Sequence, residues 1–193
     1  VLCWLGNWVH LQALCIISML GKCNAKWNKE HFDTAVNVLI YLNGVKNQGI
    51  RWTRSENERQ ANLIYGFCDA SFAMDESRRS RTGKCVFCNG GPIIVQSNLQ
   101  KTISLSTMAA ETIALSSTAL DVCGLRTMMQ EIGHWQPYPT VLLEDNQATV
   151  LLANSQATLS QRSKHLEIRD LKIRELVESG IIDVIYCRTT QQV

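Results

Sequence analysis

The sequence predicts an α/β domain, a mixed sheet with helices packed on it. Three observations lead there. Two short apolar segments, 84–88 and 93–96, flank Asn89-Gly90-Gly91-Pro92, a hairpin turn signal. An earlier apolar run over 63–68 stops at the acid Asp69. From Thr107 onward, segments of helical periodicity alternate with short apolar runs, as helices alternating with strands do. The composition agrees: 46% of the 193 residues are hydrophobic, 19% are charged and only 3 are proline. That excludes a disordered tail, a collagen-like repeat or a low-complexity segment. A net charge of +2 permits nucleic-acid binding without arguing for it.

The elements follow in order. Residues 1–20 carry no formal charge and are mostly apolar. Their length matches the roughly 20 residues that cross a bilayer. Asn7, His10, Gln12 and Ser18 would be costly in hydrocarbon, however, and no basic stretch comes first as in a signal peptide. A buried helix is expected, with no membrane association. Asn28 reads as an N-cap with Glu30 in the first turn, and Phe32, Ala35, Val36, Leu39 and Leu42 recur at helical spacing. A helix over 29–43, stopped by Gly44, follows. The polar stretch 51–62 is the expected boundary, dividing a helical segment, 1–60, from a second unit, 61–193. In that unit strands are expected at 63–68, 84–88 and 93–96, then a helix over 107–132 closed by Gly133. A strand at 141–143, helices over 146–153 and 166–177 and a strand at 181–187 complete the order β-β-β-α-β-α-α-β.

The 8 cysteines are scattered through apolar runs, where a free thiol behaves as a small hydrophobe. Cys85 and Cys88 form a C-x-x-C, but on a strand their thiols point to opposite faces and no second close-spaced pair accompanies them. Reduced thiols in an intracellular protein are expected.

The acids carry the chemistry. Asp69 and Asp145 each end an apolar run, and strands in those positions can be neighbours in a mixed sheet. Glu111 lies in the first turns of the long helix between them. Three carboxylates meeting at strand ends suit two divalent ions that stabilise the attacking and leaving oxygens of a phosphoryl transfer. The competing reading is three ordinary surface acids out of 17.

Local sequence decides between them. Tyr65-Gly66-Phe67-Cys68-Asp69-Ala70-Ser71-Phe72-Ala73 resembles the G-[YF]-x-D-A-[DS]-[WF]-A stretch of the ribonuclease H domain in copia-type LTR retrotransposon Pol polyproteins. Arg78-Arg79-Ser80-Arg81-Thr82-Gly83 is similar to that family's D-R-[RK]-S-x-[ST]-G, and the turn from Asn89 to its next hairpin. Ser104-Leu105-Ser106-Thr107-Met108-Ala109-Ala110-Glu111-Thr112-Ile113-Ala114-Leu115-Ser116 resembles A-L-S-S-T-E-A-E-Y-I-A-L-S. Glu144-Asp145-Asn146-Gln147-Ala148 is similar to C-D-N-Q-[SA]. Arg162-Ser163-Lys164-His165-Leu166-Glu167-Ile168-Arg169 with Ile173-Arg174-Glu175-Leu176-Val177 resembles R-[ST]-K-H-I-[DE]-I-R followed by I-R-E-L-V. Upstream, Lys29-Glu30-His31-Phe32 and Leu39-Ile40-Tyr41-Leu42-Asn43-Gly44 resemble the helix joining reverse transcriptase to ribonuclease H.

The resemblance implies a ribonuclease H-like fold, a five-stranded mixed sheet with helices on both faces. It implies Mg²⁺-dependent hydrolysis, with Mn²⁺ as a substitute, of the RNA strand of an RNA–DNA hybrid. Asp69 would then bridge two ions while Glu111 and Asp145 each hold one. Arg78, Arg79 and Arg81 ahead of the second strand, and Arg162, Lys164 and His165, are the candidates for hybrid contacts. The upstream reverse transcriptase would be the partner, within a cytoplasmic virus-like particle. Some positions depart from the pattern. Ala109 stands in place of a Glu, Thr112 in place of Tyr, and His10-Leu11-Gln12 in place of Arg-Pro-Asp. The family also has a fourth acid in a Q-V-A-D-x-x-T-K stretch, and this sequence stops at Gln192-Val193. The expectation is therefore a C-terminal helix missing and weak activity. The alternative is a degenerate or domesticated copy without turnover, serving as a nucleic-acid-binding or protein-interaction module.

Overall fold

Asn89 and Gly90 both have positive φ, 52° and 73°, which makes the two-residue turn that matches the twist of flanking strands. The turn joins strand β2 (Arg81–Cys88) to β3 (Gly91–Leu99), and β1 (Ile64–Ser71) pairs antiparallel with β2 along its whole length. These are three of the five strands of the sheet in a computed structural model that describes residues 2–53, 56, 62–155 and 168–191. Strands β4 (Thr140–Glu144) and β5 (Ile182–Tyr186) add on the other side of β1, both parallel, for the order β3-β2-β1-β4-β5. The helix between β1–β3 and β4, and those between β4 and β5, are the crossovers that parallel neighbours need. The five-stranded mixed sheet of the sequence reading is present.

Helices α4 (Thr107–Glu131), α5 (Gln147–Asn154) and α6 (Ile168–Glu178) pack together on one sheet face. Their core includes Val86, Leu115, Leu142 and Ile173, all fully buried. Gly66 lets β1 approach closely here, since a Cβ at that position would lie 3.1 Å from Leu142 Cδ2. Lys84 on β2 reaches the same side, where its ammonium pairs with Asp121 and donates to Ser117 Oγ at 2.9 Å. This ion pair fixes α4 over β2, with the lysine side chain almost wholly removed from water.

Upstream, the uncharged opening forms two short helices rather than one, α1 (Leu2–Trp8) and α2 (Leu14–Lys22). The chain breaks between them at His10, which is buried. Among the described residues, no helix is long and apolar enough to cross a membrane. Helix α3 (Lys29–Gly44) starts at the predicted Asn28, whose side chain accepts from His31 N–H at 2.9 Å. Its buried stripe differs from the predicted one. Val38 and Leu42 pack with Ala13 and Ile17, while Phe32 and Leu39 are exposed. A short partner such as α2 covers only a narrow strip of a four-turn helix, so tertiary placement chooses the face.

Helix α2 approaches the opposite sheet face at β3. Ser18 Oγ donates to Ser97 O at 2.8 Å, and Lys22 pairs with Asp75. Trp52 lies against Gly91, and Thr53 N–H donates to Asn89 O at 2.7 Å. The upstream segment is thus tied to the hairpin and to the loop after β1.

Candidate metal centre

Strand β1 runs past the predicted stop. Its ladder with β2 continues through Asp69↔Gly83 to Ser71↔Arg81, so Asp69 lies inside the strand and not at its end. Alternation then sends Cys68 into the core and leaves Asp69 on the more exposed side. Asp145 follows β4 directly, and Asn146 caps α5 by accepting from Thr149 N–H at 3.1 Å. Glu111 sits in the first turns of α4, behind the N-cap Ser106, which accepts from Ala109 N–H at 3.1 Å.

The fold brings these acids together. Asp69, Glu111 and Asp145 each place an oxygen within 4.8 Å of the others, from three segments far apart in sequence. Glu111 is 3% exposed, and its Oε2 has no hydrogen-bond partner among the described residues. Burial, then the charges of Glu144, Asp69 and Asp145, push the Glu111 carboxyl up to about 9, against a backbone N–H of Ala70 that lowers it. Asp69 is also raised, by burial first and then by Asp145. Crowded carboxylates with an orphaned, buried acceptor oxygen fit a hard divalent cation, which takes oxygen ligands and cancels the repulsion. Asp69 also lines a groove of about 890 Å³ between the upstream segment and the sheet, with Phe67, Phe87 and Arg51.

Four supporting residues escaped the sequence reading. Glu144 is fully buried at the end of β4. Its Oε2 accepts from the Cys68 thiol at 3.2 Å and its Oε1 from Asn146 N–H at 3.2 Å. Burial pushes its carboxyl up to about 7, partly offset by those two donors. The signal was available, an acid closing an apolar strand beside Asp145. Gln100, also buried, donates to Thr82 Oγ1 at 3.1 Å and to Ala110 O at 3.0 Å, and accepts from Ser104 Oγ. It holds the start of α4 one residue before Glu111. Thr189 donates to Asp145 Oδ2 at 2.5 Å. Lys84, described above, is the fourth. Gln100, Thr189 and Lys84 had no sequence signal, because only the fold sets their partners.

The basic candidates divide. Arg78 and Arg79 are exposed in the loop after β1, with Arg78 at φ 58°. Arg81 belongs to β2 and is 9% exposed. Its Nη1 donates to Ser18 Oγ at 2.9 Å, Ser97 O at 2.8 Å and Ser97 Oγ at 3.2 Å. The predicted strand start at 84 was late because the ladder to β1 and β3 extends to Arg81. Arg162, Lys164 and His165 lie outside the described residues. Cys85 and Cys88 are free, and the acidic trio is the metal-capable cluster found among the described residues.

No protein-family model matches the chain. It is 32% identical over 164 residues to the retrovirus-related Pol polyprotein from transposon TNT 1-94 of Nicotiana tabacum, covering 84% of this chain. It is 30% identical over 166 residues to that from transposon RE1 of Arabidopsis thaliana, covering 85%. The chain spans only 12% and 11% of the length of these two relatives. Among solved structures it resembles LC11-RNase H1, isolated from compost, with a TM-score of 0.50 at 14% identity. That match covers 67% of this chain and 87% of the other, and it shows the fold alone. The chain is homologous to the matched segment of these copia-type retrotransposon Pol polyproteins and carries the ribonuclease H fold.

Proposed function

We propose that the chain is a ribonuclease H that hydrolyses the RNA strand of an RNA–DNA hybrid, using Mg²⁺ or Mn²⁺ held by Asp69, Glu111 and Asp145. The observation that supports this most is the convergence of three carboxylates around the buried, unpartnered Oε2 of Glu111. When bound, the metal supplies Lewis-acid polarisation of the scissile phosphate and a water acidic enough to attack it, leaving a 3′-hydroxyl and a 5′-phosphate. The protein supplies position. Strand pairing holds Asp69, the Ser106 cap and Gln100 hold the start of α4, and Asn146 turns the chain after Asp145 into α5. None of the three acids sits on a long free loop, so their separation is set by the sheet and by α4.

Arg78 and Arg79 are exposed one loop away from Asp69 and would meet phosphates of the hybrid. Arg162, Lys164 and His165 complete the basic set on sequence grounds. Discrimination of RNA would rest on 2′-hydroxyl contacts in a shallow minor groove. The reverse transcriptase region of the parent polyprotein is the expected partner, and the virus-like particle the expected compartment.

The test is cleavage of an end-labelled RNA–DNA hybrid in Mg²⁺ and in Mn²⁺, beside Asp69→Asn. Cleavage that disappears in the variant supports the reading. Robust cleavage that survives Asp69→Asn overturns the site. Hybrid binding without cleavage in either metal would make the chain a binding module instead.

A further inference from the structure

We infer that Thr189 is a positioning residue of the metal centre, orienting the Asp145 carboxylate from the turn that leaves β5. This rests on the metal-centre reading above and extends it to a residue 44 positions from its partner. Parallel pairing of β4 with β5 ends at Glu144↔Tyr186. Contact between the two segments continues past that point. Cys187 N–H donates to Glu144 O at 2.9 Å, and Thr189 Oγ1 then donates to Asp145 Oδ2 at 2.5 Å. Successive residues at the end of β4 are thus met by successive donors of the segment beyond β5, first a backbone amide and then a side chain. The donor itself is held, because Thr189 opens the 3₁₀ turn Thr189–Gln191, closed by Gln191 N–H on Arg188 O at 2.8 Å.

The chemistry favours this arrangement. A carboxylate just past a strand end can rotate about two torsions, and the neighbouring Asn146 side chain is already used to cap α5. A hydroxyl donor on one oxygen removes that freedom, and it leaves lone pairs on both oxygens for a cation. The bond has the length of a charge-assisted O–H···O⁻ contact. Groups that hold a metal ligand in this way typically change metal affinity by about 10- to 100-fold when lost.

The experiment measures Mn²⁺ binding by loss of the free-ion electron paramagnetic resonance signal, on the full chain and on Thr189→Val, Thr189→Ala, Thr189→Ser and Asp145→Asn. Metal-free melting temperatures and the Mn²⁺ dependence of hybrid cleavage accompany it. Thr189→Val and Thr189→Ala should weaken Mn²⁺ binding about tenfold or more, and Thr189→Ser should restore it to near the original value. The Mn²⁺ midpoint for cleavage should shift by the same factor, with smaller change in kcat at saturating metal. Unaltered Mn²⁺ binding in both hydroxyl-free variants overturns the proposal. So does a serine variant as weak as the valine one, since the hydroxyl is then not the operative group. An original chain that takes up no Mn²⁺, or that binds it no better than Asp145→Asn, brings down the metal-centre reading itself. That outcome is distinct from failure at Thr189.

Discussion

The Cys68 thiol donates to Oε2 of Glu144 across 3.2 Å inside the core, and each of these residues is the chain neighbour of an acid of the candidate metal centre. Cys68 precedes Asp69 on β1, and Glu144 precedes Asp145 at the end of β4. Strand alternation sends this pair into the helix-covered side and leaves Asp69 on the more exposed one, while Asp145 follows the end of β4. A buried carboxylate therefore stands behind the site, with a thiol and a backbone amide as its donors.

That buried acid makes the metal-free fold sensitive to alkali. Burial raises the Glu144 carboxyl from 4.5 to about 7, so the folded chain keeps a proton that the unfolded chain has lost. Its stabilising contribution is full below the unfolded value and disappears as pH rises through about 7. Metal-free protein should melt higher near about pH 5.5 than near about pH 8. Glu144→Gln should reduce that slope, leaving the share that Glu111 carries, and stabilise the alkaline form by up to roughly 3 kcal/mol. Urea unfolding across this range reads both; an unchanged slope in the variant would count against the assignment.

Metal binding should release protons. With Glu111 pushed up to about 9, mainly by burial and then by Glu144, its carboxyl carries a proton at neutral pH. A cation must displace it, so Mn²⁺ and Mg²⁺ affinity should rise with pH until about 9. Calorimetry in two buffers of different ionisation enthalpy measures the protons released. Glu111→Gln should remove the largest share of the release, and a variant that releases as many protons as the original chain would refute this source.

Gln100 links β2 to the start of α4, and Gln100→Ala strands the Thr82 and Ser104 hydroxyls in a buried setting. The expected cost is about 2–3 kcal/mol, from leaving buried polar groups without partners. Chemical denaturation of the variant provides the measurement, and a loss below about 0.5 kcal/mol would show the hub to be dispensable.

The arginines should separate by assay. Arg78→Ala and Arg79→Ala, at exposed positions, should each reduce the slope of log K against log salt for hybrid binding by about one, with stability unchanged. Arg81→Ala removes the donor to Ser18 and Ser97 and should destabilise the chain by about 1–3 kcal/mol. Salt titrations of binding, beside melting curves, decide between the two behaviours. Loss of salt slope in the Arg81 variant at full stability would reverse the assignment.

Much of this was legible in local sequence because local physics controls it. The Asn89-Gly90 turn, the Asn28 cap and the period-2 and period-3.6 patterns each act within a few residues. They sufficed for the strand and helix order from Asn28 onward, and the motif around each acid singled out Asp69, Glu111 and Asp145. Strand ends were less legible. The extensions of β1 to Ser71 and of β2 back to Arg81 depend on ladder partners, which propensity does not contain.

Sequence by itself therefore determined the elements from Asn28 onward, their order and the three acids proposed as metal ligands, all of which rest on patterns a few residues long. Tertiary structure alone decided the rest. It set which stripe of α3 is buried, that Arg81 bonds to Ser18 and Ser97 while Arg78 and Arg79 stay exposed, and that Glu144 lies behind the acidic cluster with Thr189 against Asp145. The reason is distance along the chain. Arg81 meets Ser18 from 63 residues away and Cys68 meets Glu144 from 76, and only strand pairing and helix packing bring such groups within a hydrogen bond of each other.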